Sequence, residues 1–387
     1  IDEDSDLPSS LPDGVTLFTG REVKGGRFGA LPGRALARLY ELAEERQAPL
    51  LIEADGSRLR PLKAPAEHEP VLAEFVDGVV VVAGLTGLGK PLSAEWVHRP
   101  ERFAVLAGLN EGESITPQAL ARVLTHPLGG LKGIPPGARR ILLLNQADTS
   151  ELQGAGLRIA EMCLSAYQAG IVASLRPQNA PTASPQVFSV HEPVAIILMA
   201  AGASRRFGQP KQLLDWQGQP LVRHVAQIAL AAGCEQVRVV VGAFQEQVRA
   251  ALEGLPVEIV ANPAWQEGQA ASVRAGISEL PPETGAALFL LVDQPQVPPC
   301  LLRALIDLHA RTLLPLVAPL CQGRRANPVL FDRLTFPDLL TLQGDVGGRA
   351  LFASERGYPV AWLPWEDDRL LWDLDTEEDY RRMLEDL

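Results

Sequence analysis

The sequence predicts an α/β protein of two domains, each built on a largely parallel sheet covered by helices. Three observations carry that expectation. The 387 residues exceed the roughly 100–200 that a single domain usually needs. Apolar runs of strand length alternate with stretches of helical period in both halves, as strand–helix–strand units do. Between the halves, RPQNAPTASPQVFSVHEP (176–193) is rich in Pro, Ser, Ala and Gln and has no sustained period, as an extended linker does. The expected division is a first domain over 1–175, a linker over 176–193, and a second domain over 194–387.

In the first half, PLLIEADG (49–56), DGVVVVAGL (77–85) and RRILLLNQAD (139–148) read as buried strands, and ALARLYELAEE (35–45) as a helix. In the second half, strands are expected at VAIILMAAG (194–202), QVRVVVG (236–242), PVEIVANP (256–263) and AALFLLVD (286–293). The helical stretches PLVRHVAQIALAAG (220–233) and FQEQVRAALEGL (244–255) each close with a glycine, a common stop signal. In such sheets ligands bind beyond the carboxyl ends of the strands.

Composition bounds the function. Hydrophobic residues make up 47% and charged residues 21%, ordinary for a globular protein. The net charge of −12 argues against general affinity for nucleic acid or anionic membrane, because both need a basic face. Four scattered cysteines, Cys163, Cys234, Cys300 and Cys321, offer neither zinc spacing nor a disulfide framework. A reducing cytoplasm is the expected setting. No apolar run reaches the roughly 18–20 residues of a membrane helix. The opening at Ile1 with the acidic stretch DEDSD is no signal peptide, and the chain is read as starting inside a longer protein.

The sharpest motif is MAAGASRRFGQPKQLL (199–214), directly after an apolar strand. Gly202 and Gly208 let the backbone turn tightly and approach a ligand. The N–H groups of such a loop can line an anion. Arg205, Arg206 and Lys211 add positive charge where a triphosphate would be negative. Asp293 closes the strand AALFLLV and can hold Mg2+, a hard ion that takes carboxylates together with substrate phosphates; the plainer alternative is a turn or cap residue before Pro295. Asp375, in LWDLDT, is either a second metal ligand or structural. Thr376 and Asp379 suit a capping box for the last helix, and Ser272 suits a helix cap after Gly268.

These residues resemble the signature of the molybdenum cofactor cytidylyltransferases (MocA-like), within the MobA-like nucleotidyltransferase superfamily. The resemblance extends through NPAWQEGQAASVRAGI (262–277), LLVDQPQVP (290–298), GRRANPVLF (323–331), GDVGGR (344–349) and DLDTEEDY (373–380). It implies a Rossmann-like fold that transfers CMP from CTP to the terminal phosphate of molybdopterin, with Mg2+, releasing pyrophosphate. It also implies site roles: Lys211, Asp293 and Arg206 in catalysis; Ala200, Ala201, Gly202, Ser204, Arg205, Gly208, Gly268, Gln269 and Ser272 at the nucleotide; Asp293 and Asp375 at the metal. Arg324, Asn327, Asp345 and Arg349 match positions that would face the acceptor. The Ala200-Ala201-Gly202 turn is of the type that cytidylyl-transferring relatives carry, whereas guanylyl-transferring ones have Gly where Ala201 stands. A methyl group there is expected to narrow the base pocket.

The first half resembles the YqeC-like accessory family of selenium-dependent molybdenum hydroxylases, through VVAGLTGLGKPL (81–92), VHRPE (97–101), GGLKGIPPGAR (129–139) and LNQADT (144–149). A P-loop-NTPase-like domain is implied. The Gly-rich phosphate loop that opens the family is missing here; GLTGLGKPL (84–92) has Gly-Lys without the required spacing. Glu53 and Asp55, and Asn145 with Asp148, are the candidate nucleotide residues of this half, the second pair being like the element with which GTPases read guanine. An apo molybdenum hydroxylase is the implied partner. Guanylyl transfer to the same cofactor, activation of a sugar phosphate, and a non-enzymatic carrier or chaperone of molybdopterin remain as rival readings.

Overall fold

The apolar runs of the second half become a central sheet, and the computed structural model shows how each is placed. It describes residues 15–23, 27–176, 184–204, 207–234, 236–353 and 356–385. The chain forms two units, 1–56 and 57–387, each described by itself.

In the first unit, helix α1 (Gly33–Arg46) buries Ala35, Leu39, Leu42 and Ala43, which share one face at helical spacing. It stops at Gln47, whose left-handed backbone (φ 52°) returns its N–H to Ala43 and Glu44 carbonyls. The run 49–56 is not the expected strand. Leu51 is 92% exposed, and Glu53 and Asp55 lie in irregular, exposed chain. An apolar run becomes a strand only where a neighbour takes up its backbone hydrogen bonds, and no described strand pairs with this one.

The second unit contains two large sheets and two short two-stranded ones, Leu62–Lys63 with Val97–His98 and Asp215–Trp216 with Gln219–Pro220. The first large sheet runs in the order β1 (Gly78–Gly84), β2 (Arg139–Asn145), β3 (Ala169–Ser174), β4 (Gln186–His191). The first three strands are parallel, and β4 returns antiparallel to β3. β4 corrects the linker expectation: pairing resumes directly after the Pro/Ser-rich part, and Ser189 and His191 are buried. β1 is an edge strand, so Val80 and Val82 remain exposed and only its carboxyl end is buried. Helices α2 (Pro100–Ala107), α3 (Pro117–Thr125) and α4 (Ser150–Cys163) accompany this sheet.

The second sheet has eight strands: β5 (Val194–Ala200), β6 (Gln236–Val241), β7 (Glu258–Ala261), β8 (Ala286–Leu291), β9 (Leu316–Cys321), β10 (Arg324–Arg325), β11 (Val329–Asp332) and β12 (Val360–Trp365). The order is β7-β6-β5-β8-β11-β9-β10, with β12 on β9. β7, β6, β5 and β8 are parallel, and β11 is antiparallel to β8. On β5, Ile196 and Leu198 join a core with α5 (Leu221–Ala231), α6 (Gln245–Ala251) and α8 (Pro299–Thr312). Ile197 points the other way, into a core with α7 (Gln269–Ile277) and α9 (Phe336–Thr341). The period of two thus sends alternate side chains into two helical layers, and the fold is the doubly covered α/β sheet expected. A last helix, α10 (Glu377–Glu385), follows.

The two sheets share one unit because α8 packs on β4. The seam also holds Glu161 and Arg303, 3.8 Å apart, and the bond from Gly285 N–H to the Pro193 carbonyl at 2.9 Å. Among the described residues no helix is long and apolar enough to cross a membrane.

Candidate active site

β5 ends at Ala200, and the loop that follows is shaped by one buried amide. Gln212, 1% exposed, donates to the carbonyls of Ala200 at 3.0 Å and Gly202 at 2.5 Å. Its own oxygen accepts from Ser204 Oγ at 3.3 Å. Ser204 has a left-handed backbone (φ 51°) and accepts from Lys211 N–H at 3.0 Å. Both ends of the loop are therefore pinned to each other. A Cβ at Gly202 would meet nothing, so that backbone stands open, and Gly208 takes φ 78°. Arg205 and Arg206 lie outside the described residues.

Ala200 and Ala201 are 0% and 4% exposed, and Ala201 sits in the core with Ile197 and Val240. Their methyls face away from solvent, so this pair offers a ligand backbone only. That revises the expectation that the Ala201 methyl narrows a base pocket.

The pinned loop delivers Lys211 to the carboxyl edge of the sheet. Its Nζ donates to Asp293 Oδ2 at 3.1 Å, to Asp375 Oδ1 at 3.0 Å and to the Leu374 carbonyl at 2.7 Å. Burial disfavours the ammonium, but Asp293 and Asp375 outweigh it and hold its pKa above the ordinary lysine range. Residues 372–375 are irregular. They are held beside β8 by Leu374 N–H donating to the Asp293 carbonyl at 3.0 Å, and by Gln294 donating to Asp373 at 2.8 Å. Burial, then repulsion from Asp293, pushes the Asp373 carboxyl up. The capping box forms as read: Asp379 accepts from Thr376 N–H at 2.9 Å and Thr376 Oγ from Asp379 N–H at 3.2 Å.

A resident metal cage is not present: no group of three or more His, Cys, Asp or Glu side chains among the described residues is arranged to hold an ion. Asp293 and Asp375, reaching the same ammonium, do suit a hard divalent ion that takes one or two carboxylates and completes its shell with water and phosphate. The side-chain amide oxygen of Gln294, the residue after Asp293, is buried without a hydrogen-bond partner.

The other predicted residues divide. Gly268 (φ 108°) starts α7 under the loop 344–349: Ala270 N–H donates to the Gly344 carbonyl at 3.1 Å and Gln269 N–H to Asp345 at 3.4 Å. Ser272 is not a cap; it is 7% exposed and accepts from Asn262 at 3.0 Å. His224 contacts the Pro295 carbonyl at 3.2 Å, a structural bond. Asn327 lies beside the carboxyl end of β8, because Val329 pairs with Phe289, whereas Arg324 is on β10 and pairs with Cys321 at the carboxyl end of β9. Asn145 accepts from Gln146 and Leu175 N–H at 2.8 and 3.0 Å, and Asp148 from Ser174, so this pair ties the β2–α4 turn to the carboxyl end of β3. Glu53 and Asp55 belong to the other unit. Gln212 and Arg325 escaped the sequence reading, the first although it follows Lys211 directly.

Residues 196–359 match the MobA-like NTP transferase domain family, and residues 3–101 match the YqeC protein family. Nicotine blue oxidoreductase of Paenarthrobacter nicotinovorans is 32% identical over 195 residues, 49% of this chain and 95% of that protein. The chain belongs to the MobA-like NTP transferases. It is a nucleotidyltransferase that carries a YqeC domain ahead of the transferase domain. YqeC of Escherichia coli (strain K12) is 41% identical over 102 residues, 26% of this chain, which spans 40% of that protein's length. The crystal structure of Rv0371c from Mycobacterium tuberculosis H37Rv is 33% identical and matches 50% of this chain and 97% of its own, with a TM-score of 0.45.

Proposed function

We propose that residues 194–387 transfer CMP from CTP to the terminal phosphate of molybdopterin, with Mg2+, in the maturation of a cytoplasmic molybdenum hydroxylase. The observation that carries the chemistry is the convergence of Lys211, Asp293 and Asp375 beside an open glycine loop. The choice of cytidine and of molybdopterin draws on the likeness of MAAGASRRFGQPKQLL and its companion motifs to the MocA-like proteins.

In this reading Asp293 and Asp375 hold Mg2+, which when bound neutralises phosphate charge and aligns it for displacement. The N–H groups of Gly202–Gly208 and the side chains of Arg205 and Arg206 cradle the triphosphate. Gly268 and Gln269 offer backbone to the nucleotide, and buried Ser272 supports them. Lys211 stabilises the departing pyrophosphate. Arg324, Asn327, Asp345 and Arg349 face the acceptor, whose phosphate oxygen attacks the α-phosphorus as the α–β bridging bond breaks. No protein nucleophile is needed, and catalysis is positioning and charge neutralisation.

The test is a nucleotide panel with Mg2+ and molybdopterin, reading pyrophosphate release and the dinucleotide product. CTP is expected to give the highest kcat/KM. Preference for GTP would replace the cytidylyl assignment with a guanylyl one. Tight molybdopterin binding with no pyrophosphate from any nucleotide would favour a carrier.

A further inference from the structure

The two arginines of the β9–β10 hairpin are not equivalent. Arg324 is exposed, whereas Arg325, on the opposite face of the ribbon, is half-buried. The Arg325 guanidinium lies over Phe352, 4.4 Å from the ring centroid. Phe352 in turn rests on Trp362, 6.0 Å between centroids. This stack fixes a long side chain that would otherwise be free to swing.

The second cation is Arg349. Its loop is fastened at several points to the nucleotide side of the site. Besides the Gly344 and Asp345 bonds to the start of α7, a Cβ on Gly347 would come 2.5 Å from Gln269 Oε1, and one on Gly348 2.5 Å from the Phe331 ring. Arg349 follows immediately. Arg349 and Phe352 lie three residues apart, one turn of the short 3-10 helix Gly348–Ala353, so Arg325 stacked on Phe352 comes to the same turn as Arg349; burial, and then the nearness of Arg349, lowers the Arg325 pKa. Among the described residues neither guanidinium is hydrogen-bonded or paired with a carboxylate. Other buried or half-buried arginines here have acids: Arg238 has Glu258 and Arg99 has Glu69. Arg325 is half-buried and Arg349 exposed, so the cost of two neighbouring cations without a counter-charge falls mainly on Arg325, and a bound anion offsets it.

We propose that Arg325 and Arg349 form the subsite for a phosphate monoester dianion, the phosphate of the acceptor. Calling that ligand the acceptor rests on the transfer reading above; the anion site itself does not. Planar guanidinium forks match phosphate oxygens in pairs, and two cations balance a dianion. Held so, the acceptor phosphate keeps one oxygen for attack while its repulsion with the triphosphate is offset.

The experiment uses the full chain and calorimetric titration with phenyl phosphate, benzoate and, separately, CTP. Phenyl phosphate is expected to bind more tightly than benzoate, and to weaken as pH falls through about 6, where the monoester takes up its second proton. Arg325→Ala and Arg349→Ala should each raise its Kd about tenfold or more. Arg325→Lys, which keeps charge but loses the fork, should recover only part. The Kd for CTP should stay within about twofold. Unchanged phenyl phosphate binding in a natively melting Arg325→Ala protein overturns the proposal, as does the absence of binding to the parent at millimolar concentration. An equal loss of CTP affinity would assign the pair to the nucleotide instead. Phosphate bound through the pair without any CMP transfer would sink only the transfer reading. CMP transfer with an unchanged acceptor KM in Arg325→Ala would sink only this one.

Discussion

At the scale of single residues, Lys211 is the hub. It touches two carboxylates separated from it by 82 and 164 positions, so no local pattern foretells that meeting. Asp293 was legible because an acid closing an apolar strand must stand at the ligand edge of the sheet. Gln212 was not, because its value lies in which carbonyls the loop presents to it. Asp293→Ala is expected to lower kcat at least about a hundredfold, the scale of removing a preorganised charge partner. The protein should still fold, because Asp375 and the Leu374 carbonyl continue to hold the Lys211 ammonium. Full turnover at saturating Mg2+ in a folded mutant would remove Asp293 from the site. Ala201→Gly should act differently. Its methyl is in the core, so loss of that burial and added backbone freedom should cost about 1–2 kcal/mol in urea denaturation. The CTP to GTP ratio of kcat/KM should stay within about threefold of the parent. A tenfold change would restore a role in base choice.

At the scale of elements, periodicity found the parallel strands of the second sheet, because β5, β6 and β8 are buried on both faces and read as continuous apolar runs, while the edge strand β7 is only partly buried. It failed for 49–56, where no described strand supplies the pairing that burial requires. It also missed β4, whose Val187–Val190 run hides behind a Pro/Ser-rich stretch. The YqeC stretches were legible as motifs but not as a structure: Glu69 meets Arg99 through two bonds of 2.8 Å and Lys63 at 2.9 Å, linking segments about thirty residues apart. Burial opposes the Glu69 carboxylate, but bonds from Arg99 and Lys63 bring its pKa down to about 2. A folded pKa below the unfolded one means stability that is complete above about 4.5 and is lost as pH falls toward 2. The ceiling is about 3 kcal/mol, reduced by solvent around the partly open pair. Glu69→Gln should therefore destabilise the protein at pH 7 and shrink the difference between pH 7 and pH 3 urea midpoints. A mutant whose pH dependence matches the parent would show that the cluster contributes nothing in this range.

At the scale of the whole molecule, every residue assigned to the transferase site lies between Ala200 and Asp375, yet the transferase sheet does not stand apart. α8 begins a few residues after Asp293 and packs its other side on β4 and, through Arg303 and Glu161, on α4. A fragment of 194–387 should keep the reaction, because its loop, carboxylates and acceptor arginines are all present. It should also melt below the full chain, because the face of α8 that covers Ser189 and His191 would meet water. A loss of about 1 kcal/mol lowers the melting temperature of a fragment this size by roughly 2–4 °C, so a drop of several degrees is expected. The ion pair is not what holds the seam: at 3.8 Å, with side chains 41% and 37% exposed, it contributes about 1 kcal/mol at most. Glu161→Ala in the full chain should consequently reproduce little of the drop. Thermal melts and kcat of the parent, the fragment and Glu161→Ala decide this. A fragment that melts with the parent would show the seam to be a loose contact. A folded but inactive fragment, restored by adding the first part of the chain, would show that the first domain completes the active site.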